Sequence, residues 1–291
     1  MKLSRRRFIT LSACALATPG AAASRQWRGH AFGSEVSVDL RGDAAHVEAD
    51  VDLVIDELRR IEARFSLFSP GSELSRLNAR GRLAASAELR GLLQLARHVH
   101  RATDGLFDPT IQPLWEALAT GGDVVAARAL IGFERVDLGA GDVRLAPRQK
   151  LSLNGIAQGH AADRVAALLR ARGYRKALVD MGEFSAIGGP FRLAIEDPRA
   201  GLLGQLTLNA GAIATSSPSA MQIGGQDHIF HPRGGSAHWS TVTVEAGSAA
   251  LADAASTALV LMPLAQVHRV AQALGLTQVF LVDAAGDLIR L

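Results

Sequence analysis

Ser240-Thr241-Val242-Thr243-Val244-Glu245-Ala246-Gly247-Ser248-Ala249-Ala250-Leu251-Ala252-Asp253-Ala254-Ala255-Ser256-Thr257 holds a strand, a break and a helix in eighteen residues. Ser240–Val244 reads as a strand. Ser248 follows Gly247 and suits an N-cap, because its hydroxyl oxygen can accept a hydrogen bond from an unpaired N–H of the first helical turn. Asp253 and Thr257 stand four apart, so they share one face of the alanine-rich helix. With Leu251, Leu259 and Val260 among the alanines, the helix is expected to be packed on most sides. A carboxylate there is costly unless paired. One partner is a hard cation such as magnesium, which accepts carboxylate and hydroxyl oxygens. The other is a hydrogen-bonding loop, and this helix alone favours the loop.

Outward from it, strands are expected at Ala177–Asp180, Phe191–Ile195, Leu206–Leu208, Ala212–Thr215 and Val279–Val282. The last forms a hairpin with Leu288–Leu291. A further helix is expected from about Leu264 to Leu274. Helices set between blocks of antiparallel-looking strands argue an α+β fold with mixed antiparallel sheets and packed helices.

Upstream, residues 27–41 read as one strand interrupted at Phe32-Gly33-Ser34. Val51, Val54, Ile55, Leu58 and Ile61 recur at helical spacing, predicting a helix over Val47–Phe65. Pro70-Gly71 breaks the chain and Ser72 caps a short helical turn. A helix follows over Ala87–Ala102, whose His98 and His100 face different ways and read as ordinary. Asp108 precedes Pro109 and is therefore extended. Gly121–Leu145 is a connection with a short helix and a hairpin. Leu151–Asp163 reads as a strand crossing into a helix that reaches about Arg172; Gly155 and Gly159 allow close approach of a ligand near the helix N-terminus. The turn is neither a P-loop nor G-x-G-x-x-G, and by itself it is only a turn.

The 291 residues, 48% hydrophobic with 29 Gly and 10 Pro, suit an ordinary globular protein, and no apolar run spans a bilayer. Residues 1–23 differ. Ser4-Arg5-Arg6-Arg7-Phe8-Ile9, a weakly apolar stretch and Ala21-Ala22-Ala23 read as a twin-arginine export signal, which places the mature domain, residues 24–291, in the periplasm. Lipidation at Cys14 ranks below simple cleavage after Ala23. The segment carries four basic residues and no acidic one, so its removal takes the formal charge from +3 to −1. That balance asks for neither nucleic acid nor an anionic membrane. Cys14 is the single cysteine, so thiolate catalysis, disulfides and cysteine-ligated metals are excluded from the mature chain.

Seven blocks in order resemble the ApbE family of FAD:protein FMN transferases. They are Ser66-Leu67-Phe68 with Ser72–Asn78, Gly105–Thr110, Gly155–Asp163, Ile195–Pro198, Ala214-Thr215-Ser216, His228-Ile229 with Pro232-Arg233, and Ala250–Thr257. The likeness covers essentially the whole mature chain. It implies a T-fold-like architecture with a central FAD cleft, and Mg2+ on the FAD diphosphate. The expected metal ligands are Asp253, Thr257 and the backbone carbonyl of Gly155. His228 matches a family histidine near the reacting phosphate, a candidate general base whose other reading is a loop histidine bonded to backbone. Gly33, Glu73, Asn78, Asp108 and Thr215 fall where the family shapes its FAD pocket; for Glu73, Asn78 and Asp108, capping and turn formation remain the other reading. The implied acceptor is a Ser/Thr hydroxyl on an exported or membrane-associated flavoprotein, with AMP released.

The chain departs from the family's common pattern at Phe32, Gln158, Gly182-Glu183-Phe184 and His231. These departures bear on activity more than on fold. Three further readings remain: FAD hydrolysis to FMN and AMP, a non-catalytic flavin carrier, and a transition-metal site from His228, His231 and His238.

Overall fold

The computed structural model describes residues 24–41 and 47–291. The export signal expected over residues 1–23 lies outside the described residues. One eight-stranded sheet runs in the order Ser24–Ala31, Ser34–Arg41, Ala177–Asp180, Phe184–Ile187, Gly211–Ser216, Thr241–Ala246, Gln278–Val282, Leu288–Arg290. Every neighbouring pair is antiparallel, so the fold is α+β as expected.

Alternation along the strands divides the core in two. Ala177, Val179, Ala212 and Ala214 belong to the large core under the helices. Their neighbours Leu178, Ala186 and Ile213 turn to the opposite face, where Phe191, Leu193 and Leu208 of the Phe191–Asp197/Gly201–Leu208 hairpin cover them. On the helical face, Ala157–Ala171 and Ala249–Leu259 lie against the sheet and each other. Val47–Phe65 and Ala87–Ala102 pack outside these two. Small residues permit that sandwiching. Nine of the eleven residues of Ala249–Leu259 are buried, so Asp253 has no solvent face to turn to.

The amphipathic helices fall as expected at Val47–Phe65 and Ala87–Ala102, and Ser72 and Ser248 cap their helices. Three expectations need correction, and two elements were not foreseen. Residues 27–41 are two strands, because Phe32 and Gly33 both take positive φ (53° and 78°) and make a two-residue hairpin turn. The Phe32 N–H donates to Glu62 Oε1 at 2.7 Å, which helps hold a conformation unusual for a bulky residue. Residues 151–153 form no strand, since Leu151 pairs with the side chain of Asn78 and the Ser152 N–H donates to the Pro109 carbonyl at 2.7 Å. The turn after Ser72 is an eight-residue helix, Glu73–Arg80. A helix at Gln112–Thr120 and the strand Phe184–Ile187 were not expected. No helix among the described residues is long and apolar enough to cross a membrane.

Candidate active site

Asp253 projects from the middle of its helix at 4% exposure. Its Oδ2 accepts from the Gly159 N–H at 3.2 Å, while Oδ1 has no hydrogen-bond partner among the described residues. Burial raises its pKa to about 7, against the Gly159 hydrogen bond, and the nearby Asp163 carboxylate adds to the rise. Asp163 is itself held at the helix start, accepting from Ala249 N–H at 2.8 Å and Ala250 N–H at 3.0 Å. Gly159 cannot be enlarged, because a Cβ would sit 2.3 Å from the Ala249 carbonyl oxygen. The two helices therefore cross at backbone contact, which is what lets Gly159 reach the Asp253 carboxylate.

One turn on, half-buried Thr257 faces Gly155. A Cβ on Gly155 would meet Thr257 Oγ1 at 2.9 Å and Phe107 Cε2 at 3.5 Å. Thr257 Oγ1 also lies 3.4 Å from Ser216 Oγ, which bonds Ser256 Oγ at 2.8 Å. The expected metal ligands Asp253, Thr257 and Gly155 thus gather along one helix edge.

A second buried carboxylate lies in the turn that Gln158, the residue before Gly159, ties to this helix crossing. Glu183 sits in the turn between Ala177–Asp180 and Phe184–Ile187 at 8% exposure. Its Oε2 accepts from the Thr215 N–H at 3.1 Å. Burial raises its pKa well above the ordinary carboxylate value, and repulsion from Asp253 raises it further. Gln158 fixes the turn, donating from Nε2 to the Met181 carbonyl at 3.1 Å. Sequence reading marked Glu183 as a departure; the signal for its buried place beside Asp253 is long-range and lies in the fold.

His228 hangs from the segment leaving the central strand. Its Nδ1 lies 2.9 Å from the Pro218 carbonyl oxygen, and a carbonyl can only accept, so Nδ1 carries the hydrogen. The lone pair of the neutral ring is then on Nε2. Desolvation holds the imidazole below its ordinary pKa, keeping it neutral near pH 7. Pro218 is two residues from Ser216, a reach of at most about 7 Å, so one short segment carries both the neighbour of Thr257 and the anchor of His228.

The remaining expected residues bond to protein. Glu73 accepts from the Ser86 backbone N–H and, at 2.8 Å, from its hydroxyl, with Arg64 Nη1 at 3.4 Å. Asn78 clamps Leu151, donating to its carbonyl at 2.9 Å and accepting from its N–H at 2.8 Å. Asp108 accepts from Thr110 N–H at 2.8 Å, Thr110 Oγ1 at 2.5 Å and Phe133 N–H at 3.1 Å, an N-cap rather than an open ligand. Thr215 Oγ1 meets Thr243 Oγ1 at 2.9 Å. Gly33 is exposed in its hairpin turn.

His100 is less ordinary than its spacing suggested. It gathers with Asp108 and Glu134, one ligand atom from each within 4.8 Å of the others, beside a cavity of about 520 Å³. His100 Nδ1 is turned to the Phe107 carbonyl at 2.9 Å, and three donors already occupy Asp108. His228, His231 and His238 form no such group among the described residues. Neither that cavity nor a second one of about 400 Å³ beside Glu88 and His160 is lined by Asp253, Thr257 or His228.

A model of the ApbE family matches residues 32–281. The chain belongs to the ApbE family. It is 29% identical to an FAD:protein FMN transferase of Rhodobacter capsulatus, over 89% of this chain and 55% of that relative. It therefore spans little more than half the length of that ApbE relative. Identity to the FAD:protein FMN transferase of Salmonella typhimurium is 25%, over 99% of this chain and 95% of that one. The fold superposes on the ApbE protein of Thermotoga maritima with a TM-score of 0.83 at 24% identity, covering 92% of this chain and 97% of that chain. It superposes on the apo flavinyl transferase ApbE of Pseudomonas stutzeri with a TM-score of 0.80 at 24% identity, over 94% and 97%. These two likenesses establish an ApbE fold.

Proposed function

We propose that the protein is a Mg2+-dependent FAD:protein FMN transferase that acts on an exported or membrane-associated flavoprotein, the mature chain being periplasmic. The relatives named above carry this activity in their names. The observation that carries the reading to this chain is the arrangement of Asp253, Thr257 and Gly155 on one edge of a buried helix.

The donor set fits a hard divalent cation: a buried carboxylate with one free oxygen, a hydroxyl one turn on, and a glycine whose missing side chain lets its backbone close on that hydroxyl. When bound there, the cation offsets negative charge on the diphosphate oxygens. Asp253 and Thr257 would hold it, with the Gly155 carbonyl as third ligand. His228 Nε2 takes the proton of the acceptor hydroxyl. That hydroxyl oxygen bonds to the FMN phosphorus, the bond from this phosphorus to the bridging oxygen breaks, and AMP leaves with that oxygen. Glu73, Asn78 and Asp108 act one layer back. They fix the helix, the Leu151 backbone and the Phe107 neighbourhood that hold Gly155 against Thr257.

Incubation with FAD, Mg2+ and a peptide bearing an acceptor Ser or Thr tests the proposal. A peptide heavier by FMN, with AMP in equal amount, is the expected result. Free FMN in place of labelled peptide identifies a hydrolase, and neither product identifies a carrier.

A further inference from the structure

The geometry points to Glu183 as a further carboxylate ligand at the Asp253 cation site, enabling this chain to load its divalent ion before any flavin arrives. The inference rests on the cation assignment proposed above and extends it to a residue outside that ligand set.

Two buried carboxylates are carried by elements that meet here: Gln158 donates to the Met181 carbonyl in the Glu183 turn, and the next residue, Gly159, donates its N–H to Asp253. Asp253 comes from the helix and Glu183 from the turn at the end of the neighbouring strands. Each has one oxygen fixed by a backbone N–H, Asp253 Oδ2 by Gly159 and Glu183 Oε2 by Thr215. In each, the second oxygen has no hydrogen-bond partner among the described residues. No arginine or lysine bridges to either carboxylate among the described residues. A hydrogen bond fixing one oxygen while the other stays free orients a carboxylate for coordination.

The segment between them is built to keep this arrangement. Thr215, which holds Glu183, precedes Ser216, which touches Ser256 and Thr257. Gly182 takes φ 93° with its α-carbon side packed on Gln158, where a Cβ would lie 2.9 Å from Nε2. The turn is thereby pinned from both sides and directs Glu183 inward. Once the ion displaces their protons, the two carboxylates supply a net charge of −2, which a single divalent ion neutralises without help from a diphosphate. A site with one carboxylate leaves a net positive charge that the diphosphate must complete.

Mn2+ titration followed by electron paramagnetic resonance, on flavin-free protein stripped of metal, tests this directly. Wild type should take up one Mn2+ per chain without FAD. Glu183→Gln and Glu183→Gly should each weaken that uptake at least tenfold, and Asp253→Asn likewise. Glu183→Gln keeps an oxygen for the Thr215 N–H, so its metal-free melting temperature should rise while the shift produced by Mn2+ shrinks. Unchanged Mn2+ uptake in both Glu183 variants, with loss in Asp253→Asn, overturns the Glu183 inference alone. Uptake by wild type only in the presence of FAD also overturns it and leaves Asp253 in place. Unchanged uptake in Asp253→Asn as well overturns the cation assignment itself.

Discussion

Gly155 lies so close to Thr257 that a single added methyl would stand 2.9 Å from the threonine hydroxyl oxygen. The contact joins the turn before Ala157–Ala171 to the last turn of Ala249–Leu259, which are far apart in sequence. Thr257 is half-buried, and the missing side chain at Gly155 is what lets the turn close on the hydroxyl proposed to hold the cation.

Gly155→Ala should therefore damage binding more than folding. Its methyl would push on a hydroxyl and on the Phe107 ring edge, and small-to-large changes in packed sites cost about 1–3 kcal/mol. Flavin transfer should drop at least about tenfold, while the melting temperature moves by only a few degrees. Wild-type transfer by the alanine variant would remove Gly155 from the site.

Asn78→Ala is expected to act on stability. It leaves both the N–H and the carbonyl of fully buried Leu151 without their partners. Each unsatisfied buried group costs about 1–3 kcal/mol. Urea unfolding should show a lowered midpoint with an unchanged slope. An unaltered midpoint would mean that water or a backbone shift replaces the clamp.

Metal-free protein should become less stable as pH rises from about 4 to about 7. Asp253 holds its proton up to about 7 when folded, against 3.8 for a free aspartate, and Asp180 is raised to about 6 by burial. Across that interval the unfolded chain has already released these protons, so raising pH favours unfolding. Glu88, lowered to about 2 by its hydrogen bond with Arg60, works the other way, but its contribution is lost only as pH falls below the ordinary glutamate value. His228 and His231, lowered by burial, also oppose the trend below 6.5, against the larger rises at Asp253 and Asp180. Melting curves in EDTA should show the trend, and saturating Mg2+ should flatten or reverse it. A metal-free melting temperature that climbs through this interval would contradict the raised values.

His228→Ala should lower kcat for transfer by about 10²–10⁴-fold, the usual range for a positioned base, with little change in FAD affinity. Because burial lowers its pKa, the acidic limb of the wild-type rate profile should fall below the ordinary histidine value of 6.5. That limb should vanish in the variant. Parallel losses in kcat and FAD binding would make His228 a binding residue.

Much of this molecule was legible before folding. Val47–Phe65 and Ala87–Ala102 announce themselves through apolar residues at helical spacing, and Ser248 through the glycine before it. Asp253 and Thr257 were readable as a pair because helical geometry is local. Phe184–Ile187 was not, since all four of its residues are buried and the alternation that marks a half-exposed strand is missing. Gln112–Thr120 was hidden by Pro113, which reads as a breaker but is tolerated in a first helical turn. Glu73, Asn78 and Asp108 could be singled out but their partners could not. Each bonds a backbone segment brought near by tertiary packing. For Glu183 the residue type was visible as a departure, while its place near the Asp253 helix depends on long-range contacts of Gln158 and Thr215 that no local pattern encodes.

The most direct measurement is the mass of an acceptor peptide after incubation with FAD and Mg2+, using wild type and Asp253→Ala side by side. A gain of one FMN with wild type, abolished by EDTA and absent with Asp253→Ala, is the predicted result. An equal gain with the variant, or one indifferent to EDTA, would contradict the account.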